Sequence, residues 1–552
     1  MPTSYDGTQY WDYPTIEAWC IKFCEDHRDW ATLETIGYSR EGRPILLVTL
    51  GGDPTAVPTF WLDGGTHAME WTGVMATLYA LSEWAKEFDT EDGQEWFKNN
   101  AICVLPCISP DGYQWVHEGK PLLRSSTRPP LPGTQMTGFT PQDINGDGTV
   151  SYMRWMHPAG PFVRDSSSEM GVRFRQIHDN PAQACFLSRE GLFVNWDGKR
   201  WIQAPRTHGV DLNRNFPVHW NPFSMGGMDG GIHALSEPEA KTLMDAVVGR
   251  PGIVSALTNH TYTGALLVQP YRKDSPLKST DLKLMSRLAN EAVRGTAYKV
   301  MKVHPEFTYD DSNPIVGVWA DCLSSTLGIP GYTLELWNPF GFAGIDNASP
   351  AQFFRNPDPE MVSKVMNAAA KEAPIPWTKY EHPQLGPVEI GGFDYLRTIR
   401  NPPERLLQQE CQDGFVVAQA LRFSLPKLKV TPTSNHIGEE LFEVEVMIEN
   451  LGYLSTIGLD RAQQLSLTSG ITLQIDLTVP DQSLISGEAT TDLGVLDGWG
   501  NMQVSGAISS VYPKMSSRGH RNLARWIIKG RGKVTISWHS HRAGQGQLDI
   551  KL

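Results

Sequence analysis

The order of apolar runs predicts an α/β protein, with a mixed, mostly parallel central sheet flanked by helices, followed by an all-β sandwich. Two observations carry the first part: the short runs at 45–50 and 101–106 are apolar throughout, and a helix-period face lies between them. Strands covered on both faces read in this continuous way, whereas half-buried ones alternate. The third observation is a switch to alternation beyond residue 427, as in Leu441-Phe442-Glu443-Val444-Glu445-Val446-Met447-Ile448-Glu449. Ile471-Thr472-Leu473-Gln474-Ile475-Asp476-Leu477 and Lys533-Val534-Thr535-Ile536-Ser537-Trp538 repeat it, which predicts a sandwich over 427–552.

Taken in order, a helix near 15–26 precedes the buried strand 45–50. Thr59-Phe60-Trp61-Leu62-Asp63 is the next strand, and Val74, Leu78, Leu81, Trp84 and Phe88 recur on one face of the helix after it. Thr90-Glu91-Asp92-Gly93 ends that helix, and Ser109-Pro110-Asp111-Gly112-Tyr113 is a turn by composition. Residues 119–208 lose all periodicity and are expected as an insertion on the rim of a cleft. Ser236-Glu237-Pro238-Glu239 announces a helix as a capping box, and a strand at 253–257 runs into Asn259-His260-Thr261-Tyr262. A helix at about 281–292 precedes Gly331-Tyr332-Thr333-Leu334-Glu335-Leu336-Trp337, a β-rich run broken by one carboxylate. Pro383, Pro387, Pro402 and Pro403 mark a connector over 386–426 with a helix at about 403–411. The expected division is therefore a principal domain at 1–385, the connector, and the sandwich as a stabilising or substrate-presenting appendage.

Composition narrows the function. A net charge of −13 opposes binding to nucleic acid or an anionic membrane surface. No run approaches the ~18 apolar residues of a membrane span. The start, Met1-Pro2-Thr3-Ser4-Tyr5-Asp6, lacks a basic-then-apolar leader, so the expectation is a cytoplasmic protein. Seven scattered cysteines argue against a disulfide framework, and the pairs Cys20/Cys24 and Cys103/Cys107 are expected on apolar faces of a helix and a strand.

Four stretches carry chemistry. His67-Ala68-Met69-Glu70 sets an imidazole and a carboxylate three apart at the end of an apolar strand, where both can grip one metal ion. Asp211-Leu212-Asn213-Arg214-Asn215 gathers four polar side chains around one Leu, His260 comes at the end of a strand, and Glu335 interrupts an apolar one. A buried carboxylate is costly without a partner or a task. Separately, Asp143-Ile144-Asn145-Gly146-Asp147-Gly148 opens like a calcium loop, with ligands at Asp143, Asn145 and Asp147 and glycine at the sharp turn. Its twelfth position is Arg154 where a bidentate Glu belongs, so a tight turn that binds nothing is the competing reading.

In that order, His67-x-x-Glu70, Asp211-x-Asn213-Arg214-Asn215, His260-Thr261-Tyr262 and Glu335 closely resemble the zinc carboxypeptidases, the family typified by carboxypeptidase A. The resemblance spans roughly 8–385, interrupted by the insertion. It implies one zinc per chain on His67, Glu70 and His260, with Asp211 fixing the tautomer of a ligand histidine. It further implies that Asn213 and Arg214 clamp a free C-terminal carboxylate, that Glu335 is the general base, and that Arg124 stabilises the oxyanion, with Arg128 as its competitor. Two positions depart from the family. The mobile tyrosine falls at Asn313, with Tyr309 the nearest tyrosine and Tyr262 a substitute donor. The base of the side-chain pocket falls at Ala320, which selects neither an acidic nor a basic terminal residue, while Arg272 and Lys273 bring positive charge to the rim. The implied activity is hydrolysis of the C-terminal bond of a peptide or peptide-like substrate. A zinc amidase or deacylase acting on a modified or cell-wall peptide uses the same metal site. So does an inactive relative that binds peptide or glycan, although retention of Glu335 and all three ligands speaks for an enzyme.

Overall fold

The computed structural model describes residues 3–130, 132–204, 209–222, 224–225, 228–308, 315–346, 357–505 and 514–552. Strands β1 (Ala31–Tyr38), β2 (Pro44–Gly51), β3 (Thr59–Gly64), β4 (Ala101–Leu105), β5 (Ile253–Thr261), β6 (Ala265–Val268), β7 (Lys299–Lys302) and β8 (Gly331–Leu336) form one sheet. Its order is β1-β2-β4-β3-β5-β8-β6-β7. The middle run β4-β3-β5-β8 is parallel, as is β6-β7, while β1-β2, β2-β4 and β8-β6 pair antiparallel.

Alternation along each strand divides the core in two. Phe60, Leu62, Val104 and Leu257 face helices α1 (Tyr13–Asp26), α2 (Trp71–Phe88) and α6 (Ser279–Ala292). Trp61, Cys103, Leu105 and Ala256 face α5 (Pro238–Val248) and α7 (Trp319–Leu327). All seven cysteines are buried and unbridged. Cys20 and Cys24 lie on α1 and Cys103 in β4, packed as small apolar groups.

Several local expectations change for identifiable reasons. Thr90 does not merely end α2; its hydroxyl accepts from the Gly93 amide and starts α3 (Glu91–Asn99). The Ser-Pro-Asp-Gly-Tyr stretch is the first turn of α4 (Pro110–His117), with proline where its missing N–H costs nothing. At α5 the N-cap is Glu237 without a side-chain cap bond; the Ser236 hydroxyl instead accepts from Asn215 Nδ2 at 3.0 Å. β5 continues through His260 to Thr261, so that histidine sits in the strand.

The aperiodic insertion is largely sheet. Tyr152–Met156, Phe162–Arg164, Val172–Phe174 and Ala184–Arg189 join Pro374–His382 and Gly386–Phe393 in a six-stranded antiparallel sheet. The connector thus begins inside that sheet. Its helix runs Glu404–Arg422 and buries Leu407, Cys411, Val417 and Leu421 in the core shared with α2. The C-terminal region forms two four-stranded sheets around Val444, Leu473, Trp526 and Ile536. It docks by Arg542, a buried guanidinium that donates to the carbonyls of Leu327, Gly328 and Ile457 at 2.6–2.8 Å and so satisfies the end of α7. Among the described residues no helix is long and apolar enough to cross a membrane.

Candidate active site

The parallel centre of the sheet delivers the site. β3 ends at Gly64, Gly65-Thr66 leads into His67, and Glu70 is the N-cap of α2. β5 pairs with both neighbours, and its register sets His260 directly opposite Glu335 on β8. Ligands in parallel sheets gather beyond the carboxyl ends of strands, as these do.

His67 Nδ1 lies 2.9 Å from Glu70 Oε1, His260 Nδ1 2.9 Å from Glu70 Oε2, and the two Nδ1 atoms 3.1 Å from each other. All three residues are buried. Two imidazole nitrogens converging on one carboxylate is a donor set that a zinc ion satisfies, since a cation between them takes both lone pairs at once. The other nitrogen of His67, Nε2, lies 3.1 Å from Asp211 Oδ1, which leaves Nδ1 as the metal-facing atom. Burial alone would raise the Asp211 carboxyl, but Arg124, His67 and Arg214 hold it well below the usual carboxylate range. Glu70 is likewise held low by the two histidines against its burial.

Arg124 is the arginine that reaches the centre: Nε donates to Asp211 Oδ2 at 3.2 Å and Nη1 to Glu70 Oε1 at 3.3 Å. Arg128 turns away to pair with Glu237 at 2.9 Å. Asn213 and Arg214 are buried in a short turn capped by Asp211, and the Arg214 guanidinium donates to the Asn213 carbonyl at 2.7 Å. Trp319 pins this turn, because its backbone N–H donates to Asn213 Oδ1 at 2.9 Å and its indole to Asp63 Oδ2 at 2.8 Å. Half-buried Glu335 is pushed up to about 7, first by burial and then by the negative charge of Glu70, against the pull of His260, Arg124 and Arg400.

Ala320 is fully buried beside Leu267, Tyr271 and Val318, and Arg272 is tied to Asp274 at 2.9 Å. Tyr309 and Asn313 lie outside the described residues. In the 143–154 loop, Arg154 belongs to a strand and pairs with Glu389 at 2.8 Å. The carboxylate that joins Asp143 and Asp147 is Glu190, fully buried and pushed up to about 7 by that burial. Asn145 turns its amide to Asp147 Oδ2 at 2.9 Å.

Sequence reasoning missed Arg400. Its Nη1 lies 3.5 Å from Glu70 Oε1 and 3.4 Å from the Thr261 carbonyl, and its guanidinium sits 4.8 Å from the centre of the Tyr262 ring. The next residue, Asn401, accepts from the Thr72 N–H at 3.0 Å and donates to the Met69 carbonyl at 2.9 Å, clamping the turn that carries the metal motif. Nothing in the proline-flanked Tyr395-Leu396-Arg397-Thr398-Ile399-Arg400-Asn401 announces this, because the contacts span about 330 residues.

Residues 16–153 and 187–348, more than half of the chain, match the zinc carboxypeptidase family. The chain belongs to that family. Residues 424–551 match a domain family of unknown function. Carboxypeptidase B of Astacus astacus is 34% identical over 121 residues, 22% of this chain and 39% of that protein. Carboxypeptidase B of Bos taurus is 26% identical over 317 residues, 56% of this chain and 57% of that protein. The matches therefore span less than two thirds of either carboxypeptidase B. The crystal structure of carboxypeptidase A from Helicoverpa armigera superposes with a TM-score of 0.39 at 18% identity, covering 66% of this chain and 74% of that one.

Proposed function

We propose that this zinc carboxypeptidase family member is an exopeptidase that hydrolyses the C-terminal bond of peptides. The observation that carries the reading is the strand register that sets Glu335 opposite His260, with Arg124 and the Asn213–Arg214 turn converging through Asp211. Zinc on His67, Glu70 and His260 would supply a water of lowered pKa and a Lewis acid for the scissile carbonyl. Glu335, half-buried and raised towards neutrality, is suited to take a proton from the attacking water and hand it to the leaving amine. Arg124 offers a guanidinium to the oxygen that becomes negative. Asn213 and Arg214 hold the terminal carboxylate and so restrict cleavage to chain ends.

Paired peptides with a free C-terminal acid or its amide test this reading. The acid should be cleaved at least about a hundredfold faster, since a clamp built for a carboxylate leaves buried donors unpaired with an amide. Equal rates would move the assignment to an amidase or deacylase with the same metal. In Glu335→Gln the zinc content should stay at one per chain while turnover falls by about 10²–10⁴.

We also propose a calcium site on Asp143, Asn145 and Asp147, closed by Glu190 in place of the absent twelfth-position ligand; the convergence of the three carboxylates favours it over an idle turn. Millimolar calcium should raise the unfolding temperature of the native protein, and less so in Glu190→Gln.

A further inference from the structure

Where the insertion sheet meets α4 and the 393–397 segment lies a cavity of about 310 Å³. Its wall includes Trp71, which directly follows Glu70, and Tyr395, whose hydroxyl lies 3.5 Å from Arg400 Nη2. Arg400 Nη1 in turn lies 3.5 Å from Glu70 Oε1, so Tyr395 and Arg400 link the cavity wall to the metal motif. No residue of the 211–215 turn lines it.

The polar content of this wall is unbalanced. Arg397 is neutralised by Asp394 at 3.1 Å and Lys120 by Glu118 at 2.6 Å. Arg189 has no carboxylate partner among the described residues; its guanidinium lies 4.8 Å from the Tyr152 ring centre and 5.0 Å from that of Tyr395, and its Nη1 is buried without an acceptor. Two more buried nitrogens without partners among the described residues belong to residues of the same wall, Trp71 Nε1 and His117 Nε2. Burial, with Arg397 nearby, lowers His117 to about 4, so its ring adds no charge at neutral pH. A cation without a carboxylate partner costs free energy, and Arg189, a residue of this wall, calls for a ligand that supplies an acceptor. A guanidinium flanked by two aromatic rings suits a carboxylate.

We propose that this cavity is a subsite for an acidic side chain of the peptide, upstream of the scissile bond, with Arg189 as its selector. The placement follows from the two ends of the site: the terminal carboxylate belongs to the 211–215 turn, and the cavity is linked to the metal motif through other residues. The assignment as a substrate subsite rests on the exopeptidase reading, whereas the preference for an acidic group does not.

The test therefore reads binding separately from cleavage. Acetylated pentapeptides with one common C-terminal residue carry a single Glu, or a Gln in its place, at each of the three positions before the terminal residue. Calorimetry on zinc-loaded Glu335→Gln protein should show at least one Glu peptide bound about tenfold more tightly than its Gln partner, the size of a charge-assisted hydrogen bond. Adding Arg189→Ala should remove that preference without weakening the Gln peptide, and Arg189→Lys should restore part of it. Equal binding of every Glu/Gln pair, or an equal loss for both in Arg189→Ala, overturns the proposal and leaves a water-filled cavity. A preference that depends on Arg189, in a wild-type protein that cleaves none of the peptides, would keep the acidic subsite and refute the exopeptidase reading instead.

Discussion

Replacing Asn401 by alanine tests whether the segment after the insertion sheet truly holds the metal motif. The fully buried Asn401 side chain makes four hydrogen bonds: it accepts from Thr72 N and Thr72 Oγ1, both at 3.0 Å, and donates to the carbonyls of Met69 at 2.9 Å and Leu396 at 3.0 Å. Two of these partners keep an alternative. The Thr72 hydroxyl lies 3.4 Å from Tyr10 Oη, and the Leu396 carbonyl retains the backbone N–H of residue 401 at 3.0 Å. The Thr72 N–H and the Met69 carbonyl are left unpaired among the described residues. At roughly 1–3 kcal/mol for each buried unsatisfied group, Asn401→Ala should cost about 4 kcal/mol, read from urea unfolding of the metal-free protein. Because both orphaned groups flank Glu70, competition with a chelator should also show zinc affinity reduced by about tenfold or more. Asn401→Asp should give no rescue: it can accept from Thr72 but sets an oxygen against the Met69 carbonyl. A loss under about 1 kcal/mol with unchanged zinc affinity would refute the reasoning.

Three further outcomes follow from the same geometry. Asp211→Asn should weaken zinc binding by about 10–100-fold, because the neutral amide no longer fixes His67 and leaves Arg124 Nε without its carboxylate; chelator competition reads this, and unchanged affinity counts against the role. Burial pushes Asp63 up to about 6 although two indoles donate to it, so stability that this carboxyl contributes below about pH 4 is lost as pH rises through 6. Asp63→Asn should therefore gain on wild type by about 3 kcal/mol between pH 4 and pH 8 in urea unfolding; a pH-independent difference would show that Asp63 does not titrate there. Arg542→Ala strips three carbonyls of their donor and should cost about 3 kcal/mol, seen as a lower thermal midpoint and faster proteolysis between the sandwich and α7; an unchanged midpoint would mean water replaces the guanidinium.

The legible parts of this protein are those where local pattern and buried position coincide. β3, α2 and β4 could be read from 59–105 because apolar runs and a 3.6-residue face leave one arrangement for each. The ordered motifs could be read for a related reason: two imidazoles and a carboxylate form one of the catalytic zinc sets, and the spacing His67-x-x-Glu70 places two of the three in one turn. The insertion resisted because its strands are short and paired at a distance; Tyr152 lies opposite Gly391 and Met153 opposite Ile390, and no local period marks such partners. Helix ends failed on a smaller scale. Thr90 and Pro110 are turn residues by composition, yet each begins a helix, since the residues that favour turns also favour caps.

By itself, the sequence determined the family and the sheet's central strands, because these show in ordered motifs and apolar runs along the chain. Only the tertiary structure decided what surrounds the motifs. Register placed Glu335 opposite His260, Arg124 faces Asp211 while Arg128 pairs with Glu237, and Glu190, not Arg154, is the carboxylate that meets Asp143 and Asp147. Arg400 and Asn401 reach the metal-motif turn, and Arg189 the cavity lined by Tyr395, from segments that look like connector and loop, since long-range packing brings them there and leaves no periodic trace along the chain.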